Sequence, residues 1–481
     1  MEDQRRKDER RRVAGVPTRA RRSRPTIGLL TAWLRDPYAT VTWSGVADVA
    51  HQRDVNVINL VGSRLRSPID SEAPGEVLFD LLEAQRLDGL VVFSEMLYHF
   101  TNAQEMTRFL ERYRPLPMAS IGILPGIPSV MLDIKRGMRD MVVHLIEVHG
   151  HRRLAFLGGP GGEETAEALY RGYREALDEF GLAFDPRLVT PPADRWGAAL
   201  GAQGVRVLLD ERQLRPGVDF EAIVGCADYE ILAAIYALQK RGFRVPHDVA
   251  ATGFNNLEVT RYVTPSLTTV DRRIIELARR ATEMLLDLMD GKSVPEQVLL
   301  APEIVVRRSC GCVPQTVIQA ATPVQATRTA RTSRLGARQR TTLIATVEQV
   351  GRMHRLGNLA GVAEDWPTQL VDALLEDLSG HATRCFLTAL EDILNRVVAA
   401  GGEVAAWQSV ISILRQQLGP WLNNQLSAQT EHLWHQARVL IADFTEKVPG
   451  QQKLEAARLV ETLIYITQSL LTKFDLGGLV D

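Results

Sequence analysis

From Pro25 to about residue 312 the chain alternates short runs that are apolar on both faces with longer amphipathic segments. The strand-like runs include Thr26–Leu30, Val55–Val61, Gly89–Phe93, Met118–Ile121, Val130–Asp133, Leu154–Leu157, Ala222–Cys226 and Val249–Phe254. Helix-like stretches such as Met138–His149, Thr165–Phe180 and Glu230–Arg241 fall between them. A strand apolar on both faces needs cover on both faces, and helices between successive strands supply it. The pattern predicts an α/β fold with parallel sheets. There are too many such units for one small sheet, so two α/β lobes are expected.

The rest of the chain reads differently. No carboxylate occurs between Glu303 and Glu348, and "PQTVIQAATPVQATRTARTSRLGARQR" lacks apolar periodicity. Residues 313–340 are read as a basic linker. From Thr341 onward the signal is helical. Trp407, Val410, Ile411, Leu414 and Leu418 form one stripe, and Leu433, Ala437, Leu440, Ile441 and Phe444 a second. Val460, Leu463, Ile464, Thr467, Leu471 and Phe474 form a third. Each marks one apolar helix face. The stripes suit a bundle core or a parallel dimer seam, and with fewer than four clean heptads a coiled coil is not established.

At 481 residues the chain is too long for one ordinary domain, and 45% hydrophobic with 24% charged residues is the balance of a soluble globular protein. Residues 1–24 carry ten Arg/Lys against four acids, within a chain of net charge −2. This arm reads as a solvated tail or a weak polyanion contact; it has no aromatic residue and no helix-turn-helix pattern with which to read bases. Four cysteines (Cys226, Cys310, Cys312, Cys385) are too few for a disulfide framework. Cys310-Gly311-Cys312 has no second Cys/His pair nearby in sequence, so reduced thiols are expected and no metal or cofactor. His149 and His151 are read as surface loop residues. No signal-peptide core or membrane span is present, which predicts a cytoplasmic protein.

Ligands of open α/β sheets gather at the carboxyl ends of the strands, where loops converge and helix N-termini point. Asp36 and Tyr38 follow the first strand, with Trp33 close by, and Ser94 and Glu95 follow the third. Asp133 closes "SVMLD", Asp228 closes "IVGCAD", and Asn255 and Asn256 follow "ATGF". Carboxylates and amides suit a hydroxyl-rich ligand, and the aromatic rings suit its apolar face. Each Asp alone also reads as a helix N-cap; their shared position favours a site. The loop "LGGPGGEET" lacks both the dinucleotide fingerprint and the Gly-Lys-Ser/Thr of a phosphate loop, and Glu163 and Glu164 repel phosphate. No Gly-x-Ser-x-Gly elbow or His-Glu-x-x-His is present, so no enzyme is expected.

The segments "RPTIGLL", "DPYATVTWSGVADVAHQRDVNV", "VMLDIKRGMRDMVVHLIEVHGHRRLAFLGGP", "YRGYREAL", "VGCADYEILAAIYAL", "ATGFNNLEVTRYVTPSLTTV" and "EIVVRRSCGC" occur in order over Pro25–Cys312. Together they resemble the ligand-sensing domain of the lactose-repressor/ribose-binding-protein superfamily. The resemblance implies two periplasmic-binding-protein-like lobes joined by three crossovers, with a ligand clamped between them. The lobes would be about 25–128 plus 267–292, and about 129–266 plus 293–312. It implies ligand contacts from Asp228, Asp133, Asp36, Tyr38 and Asn255. The chain departs from the family pattern at Ile134, where Asn is common, at Leu169, where Arg is usual, and at Asn255, where Asp is usual. Only 24 residues precede Pro25, too few for the family's helix-turn-helix. The C-terminal "LIYITQSLLTKFDLGGLVD" resembles the helix that leads into signalling output modules.

These observations predict a non-enzymatic small-molecule sensor acting in transcription or signal transduction. A sugar or nucleoside would close the lobes and move the C-terminal helices. A homodimer fits this reading, with the output either in a separate partner protein or, alternatively, in a histidine kinase or nucleotide cyclase system of which this chain is the sensory part. Two alternatives stay open: a ligand-free scaffold used for dimerisation, and direct DNA contact through the arm or linker.

Overall fold

In the computed structural model, residues 24–32, 37–67, 78–79, 87–97, 100–194, 196–313, 317, 336–353, 365–379, 385–400, 402, 404–422, 430–447 and 450 are described. The basic arm before Arg24, Trp33, Asp36, most of the linker and the third helical stripe lie outside the described residues. The strands are β1 (Thr26–Ala32), β2 (Asn56–Gly62), β3 (Gly89–Phe93), β4 (Met118–Ile121), β5 (Ser129–Leu132) and β6 (Leu154–Leu157). They continue with β7 (Ala222–Gly225), β8 (Ala250–Asn255), β9 (Thr268–Asp271), β10 (Gln297–Leu300) and β11 (Glu303–Val305). The helices are α1 (Pro37–Gln52), α2 (Ser94–Leu97), α3 (Ala103–Leu110), α4 (Ile134–His149), α5 (Glu164–Glu179), α6 (Ala199–Arg206), α7 (Asp228–Gln239) and α8 (Ile274–Met289). Beyond the sheets come α9 (Ala337–Met353), α10 (Trp366–Ser379), α11 (Cys385–Ala399), α12 (Trp407–Leu418) and a helix over 430–447, α13.

The chain divides into two compact units, Met1–Asp133 with Arg273–Pro302, and Ile134–Arg272 with Glu303–Asp481. The first holds a six-stranded sheet of order β10-β5-β4-β3-β1-β2, parallel throughout. The second holds a five-stranded sheet, β11-β9-β8-β7-β6, in which β11 runs antiparallel to β9. Each is the parallel-dominated α/β layer expected from the doubly apolar runs: β3, β4, β6 and β7 are buried at every residue. The edge strand β10 alternates instead, because only one of its faces meets the core.

The chain crosses between units at 133/134, 272/273 and 302/303. The boundaries expected at 128/129, 266/267 and 292/293 are therefore corrected. Backbone pairing decides the matter: β5 hydrogen-bonds β4, β9 hydrogen-bonds β8, and β10 returns to β5. Within "TPSLTTV", Thr268–Asp271 is a strand of the second sheet and Arg272/Arg273 is the crossing.

The helical region joins the second unit. Its core takes Leu343, Val347, Trp366, Leu370, Leu374, Phe386, Leu390 and Leu394 together with the first two predicted stripes, of which only Leu433 is merely half-buried. Trp366 and Trp407 meet edge to face at 4.7 Å, as do Phe386 and Trp434 at 5.7 Å. Val317, from the segment read as linker, is 1% exposed within this core, and Val313 packs against it. The chain therefore enters the bundle almost as soon as it leaves the sheet.

Candidate functional site

The second unit's sheet presents its carboxyl edge at Gly158, Cys226, Asn255 and Asp271, the residues that end or follow β6, β7, β8 and β9. Asp228 opens α7 and is fully buried. It does not cap its own helix: Ala227 is the N-cap and makes no side-chain bond. Instead the carboxylate reaches forward across the sheet. Leu257 N–H donates to Oδ2 at 2.8 Å and Thr269 Oγ1 donates to Oδ1 at 2.6 Å. Burial drives this carboxyl up to about 7, against the pull of those two bonds and of the Arg307 charge.

The same bonds organise the end of β8. Asn256 N–H donates to Thr269 Oγ1 at 3.3 Å, and Asn256 Nδ2 donates to Asp271 Oδ2 at 2.8 Å. Arg307 Nη2 donates to Asn256 Oδ1 at 2.6 Å, while its Nη1 donates to Thr260 Oγ1 at 3.0 Å and to Leu267 O at 2.8 Å. Burial lowers the Arg307 guanidinium to about 10. This network holds Asn255 and Asn256 at φ +124° and +55°. Two successive non-glycine residues in that half of backbone space cost on the order of 1–3 kcal/mol each, and such strain collects at functional sites. Asn255 is half-buried, pairs in register with Asp271, and among the described residues its amide side chain has no hydrogen-bond partner. Trp196, half-buried, packs its ring over Gly159 at the neighbouring strand end.

The first unit's sheet carries its polar residues on the same kind of edge. Ser94 and Glu95 open α2 directly after β3; Ser94 Oγ is buried and donates to Ile121 O at 2.9 Å, and Glu95 is half-buried beside Gly122. Tyr38 lies in the first turn of α1, with Thr42 Oγ1 donating to its carbonyl at 2.7 Å. Asp133 follows β5, and its N–H donates to Leu300 O at 2.9 Å. Asp36 lies outside the described residues. Of the six expected residues, Tyr38, Glu95 and Asp133 thus belong to the first unit's edge, and Asp228 and Asn255 to the second's. Arg307, Thr269 and Trp196 escaped the sequence reading. Arg307 stands beside "SCGC", and nothing local links it to Asn256.

A second group of polar residues gathers where the chain leaves the sheet. His144 and His149 on α4 meet Cys310 and Cys312, and their ligand atoms all lie within 4.8 Å of one another. No second Cys/His pair stands near Cys310-Gly311-Cys312 in sequence, yet folding brings His144 and His149 beside it; the surface-loop reading of His149 is corrected, since it ends α4 and is half-buried. No disulfide joins these cysteines, and bonds from Cys312, His144, His149 and Thr268 hold Cys310 well below the usual thiol range. Beside them, the Arg308 guanidinium grips the Glu391 carboxylate of α11 with two nitrogens, the side chains 17% and 10% exposed. Arg308 Nη1 also donates to Cys312 O at 3.2 Å. A cavity of about 840 Å³, lined by His149, Cys310, Arg308, Glu391 and Asn395 among others, adjoins both groups.

Comparison with known proteins matches residues 142–310 to the periplasmic binding protein-like domain. The HTH-type transcriptional regulator GalR of Escherichia coli is 30% identical over 292 residues, spanning 60% of this chain and 79% of GalR. The HTH-type transcriptional repressor MelR of Bacillus subtilis is 26% identical over 319 residues, 64% of this chain and 85% of MelR. Among solved structures, a LacI family transcriptional regulator from Mycobacterium smegmatis aligns at 26% identity with a TM-score of 0.49, covering 60% of this chain and 99% of that one.

Proposed function

Given that the chain belongs to the lactose-repressor-type family of regulators with a periplasmic-binding-protein-like sensing domain, we propose that it is a non-enzymatic cytoplasmic sensor of a small hydroxyl-rich molecule acting in transcriptional regulation. The observation that carries the reading is Asn255. Among the described residues its amide is unpartnered, its backbone is strained, and a buried network of Asp228, Thr269, Asn256 and Arg307 holds it in place. Strain of that kind persists only where surrounding bonds over-determine it, and here they fix a donor–acceptor group at a sheet's carboxyl edge. Asn255 would contact the ligand, joined by Tyr38, Glu95, Asp133 and Asp36. Asp228 would act chiefly by fixing the Asn255–Leu257 turn. A sugar or nucleoside would close the lobes, and Arg308–Glu391 would pass the change to the helical bundle of a homodimer. Among the described residues no helix is long and apolar enough to cross a membrane.

The test is thermal and calorimetric titration with a panel of sugars, polyols and nucleosides. A ligand at one hundred times its Kd should stabilise the protein by about 2.7 kcal/mol. Asn255→Ala should abolish that response while the protein stays folded. A panel that shifts nothing favours the scaffold reading, which has its own support: Leu169, where the resemblance implies an arginine, is 1% exposed in the second unit.

A further inference from the structure

The geometry points to a structural zinc(II) site formed by Cys310, Cys312, His144 and His149, a site independent of the sensing role. Zinc bonds sulfur at about 2.3 Å and imidazole nitrogen at about 2.0–2.1 Å, so neighbouring ligands of a tetrahedral ion stand about 3.3–3.8 Å apart. Cys312 Sγ lies 3.2 Å from His149 Nε2 and 3.7 Å from His144 Nε2. The two imidazoles meet edge to face, 76° between planes. Their nitrogens therefore approach one point from different directions, as a tetrahedron requires.

The chain shapes this arrangement from both sides. Gly311 stands at φ +101°, a conformation that lets Cys310 and Cys312 turn their sulfurs to the same side, and its N–H closes the turn on Arg308 O at 2.9 Å. Ser309 Oγ donates to Ala251 O at 2.6 Å and accepts from Thr268 N–H at 2.8 Å, pinning the turn to the sheet. Thr268 Oγ1 donates to Cys310 Sγ at 3.1 Å, the kind of supporting bond that orients a metal-bound thiolate. On the other side His149 is the last residue of α4, and Gly150 at φ +71° ends the helix there.

The donor set selects the ion. Two thiolates disfavour magnesium and calcium, and two sulfurs with two nitrogens in tetrahedral array suit zinc. Four protein ligands leave no open position, so the site is structural. Two thiolates cancel the charge of the ion, and a neutral cluster suits a place where Cys310 is 1% exposed. Both sulfurs bind as thiolates, any thiol proton still present on loading goes to solvent, and no oxidation state changes. The ion would tie the end of α4 to the segment whose Arg308 holds Glu391, and so stiffen the joint between sheet and bundle.

The full chain, purified with reduced thiols, loaded with zinc and dialysed, should retain about one zinc per chain by elemental analysis. Cobalt(II) in its place should give sulfur-to-cobalt charge-transfer and tetrahedral ligand-field absorption. Cys312→Ser and His149→Asn should each weaken zinc retention roughly tenfold or more, and Cys385→Ser should leave it unchanged. The wild-type cobalt spectrum needs no variant to fold. A reduced wild-type protein that keeps no zinc and shows no cobalt bands overturns the assignment. So does a Cys312→Ser protein with undiminished zinc, or a Cys310–Cys312 disulfide in protein prepared under reducing conditions.

Discussion

Replacing Glu391 by leucine isolates the link between sheet and bundle. The Arg308 and Glu391 side chains are 17% and 10% exposed, and the carboxylate takes two of the guanidinium nitrogens. In Glu391→Leu the cation stays in place and, among the described residues, keeps Cys312 O as its hydrogen-bond acceptor. Leaving one buried charge without its partner costs about 3–5 kcal/mol, whereas replacing both members by apolar residues of similar volume is often neutral or stabilising. Glu391→Leu and Arg308→Met should each lose on the order of 3 kcal/mol, and the double variant should recover most of it. Urea unfolding followed by tryptophan fluorescence reads the effect, because Trp366 and Trp407 sit in contact inside the bundle core. If Glu391→Leu stays within about 0.5 kcal/mol of wild type, or the double variant loses the sum of the singles, the pair does not join the two parts as described.

Other outcomes follow from the same structure. Asp228→Ala strands the Leu257 N–H and the Thr269 hydroxyl, at about 1–3 kcal/mol each, so a drop of roughly 2–6 kcal/mol is expected in chemical denaturation. Asn255→Gly relieves the strain at φ +124° and should raise stability by about 1 kcal/mol while removing the ligand response; a loss of stability would contradict the strain argument. Glu230 is 1% exposed, its carboxylate oxygens make no well-formed hydrogen bond among the described residues, and burial lifts it to about 8 against the weaker pull of the nearby Ala227 N–H. The unfolded chain ionises it near its ordinary value, so this group's contribution is fully present below about pH 4.5 and is lost as pH rises through about 8. The Tm of Glu230→Gln should therefore gain on wild type steadily from pH 5 to pH 8, and parallel curves would show that Glu230 is not held protonated.

The sequence by itself determined the elements and their class. Runs such as Leu154–Leu157 and stripes such as Trp407 to Leu418 are local patterns, and burial imposes them on a strand or helix wherever it packs. It also placed Asn255 and Asp228 at strand ends, because strand ends are local features too. Tertiary structure alone decided what Asp228 bonds, where the crossings fall and which histidines meet Cys310 and Cys312. Backbone pairing moved the boundaries, since a strand belongs to the sheet that satisfies its N–H and C=O groups, and no spacing reveals that sheet. Distances of a few ångströms between His149 and Cys312, or Arg308 and Glu391, arise only when segments far apart in the chain are brought together by folding. Periodicity encodes what each segment must bury; it carries no record of the neighbour that will cover it.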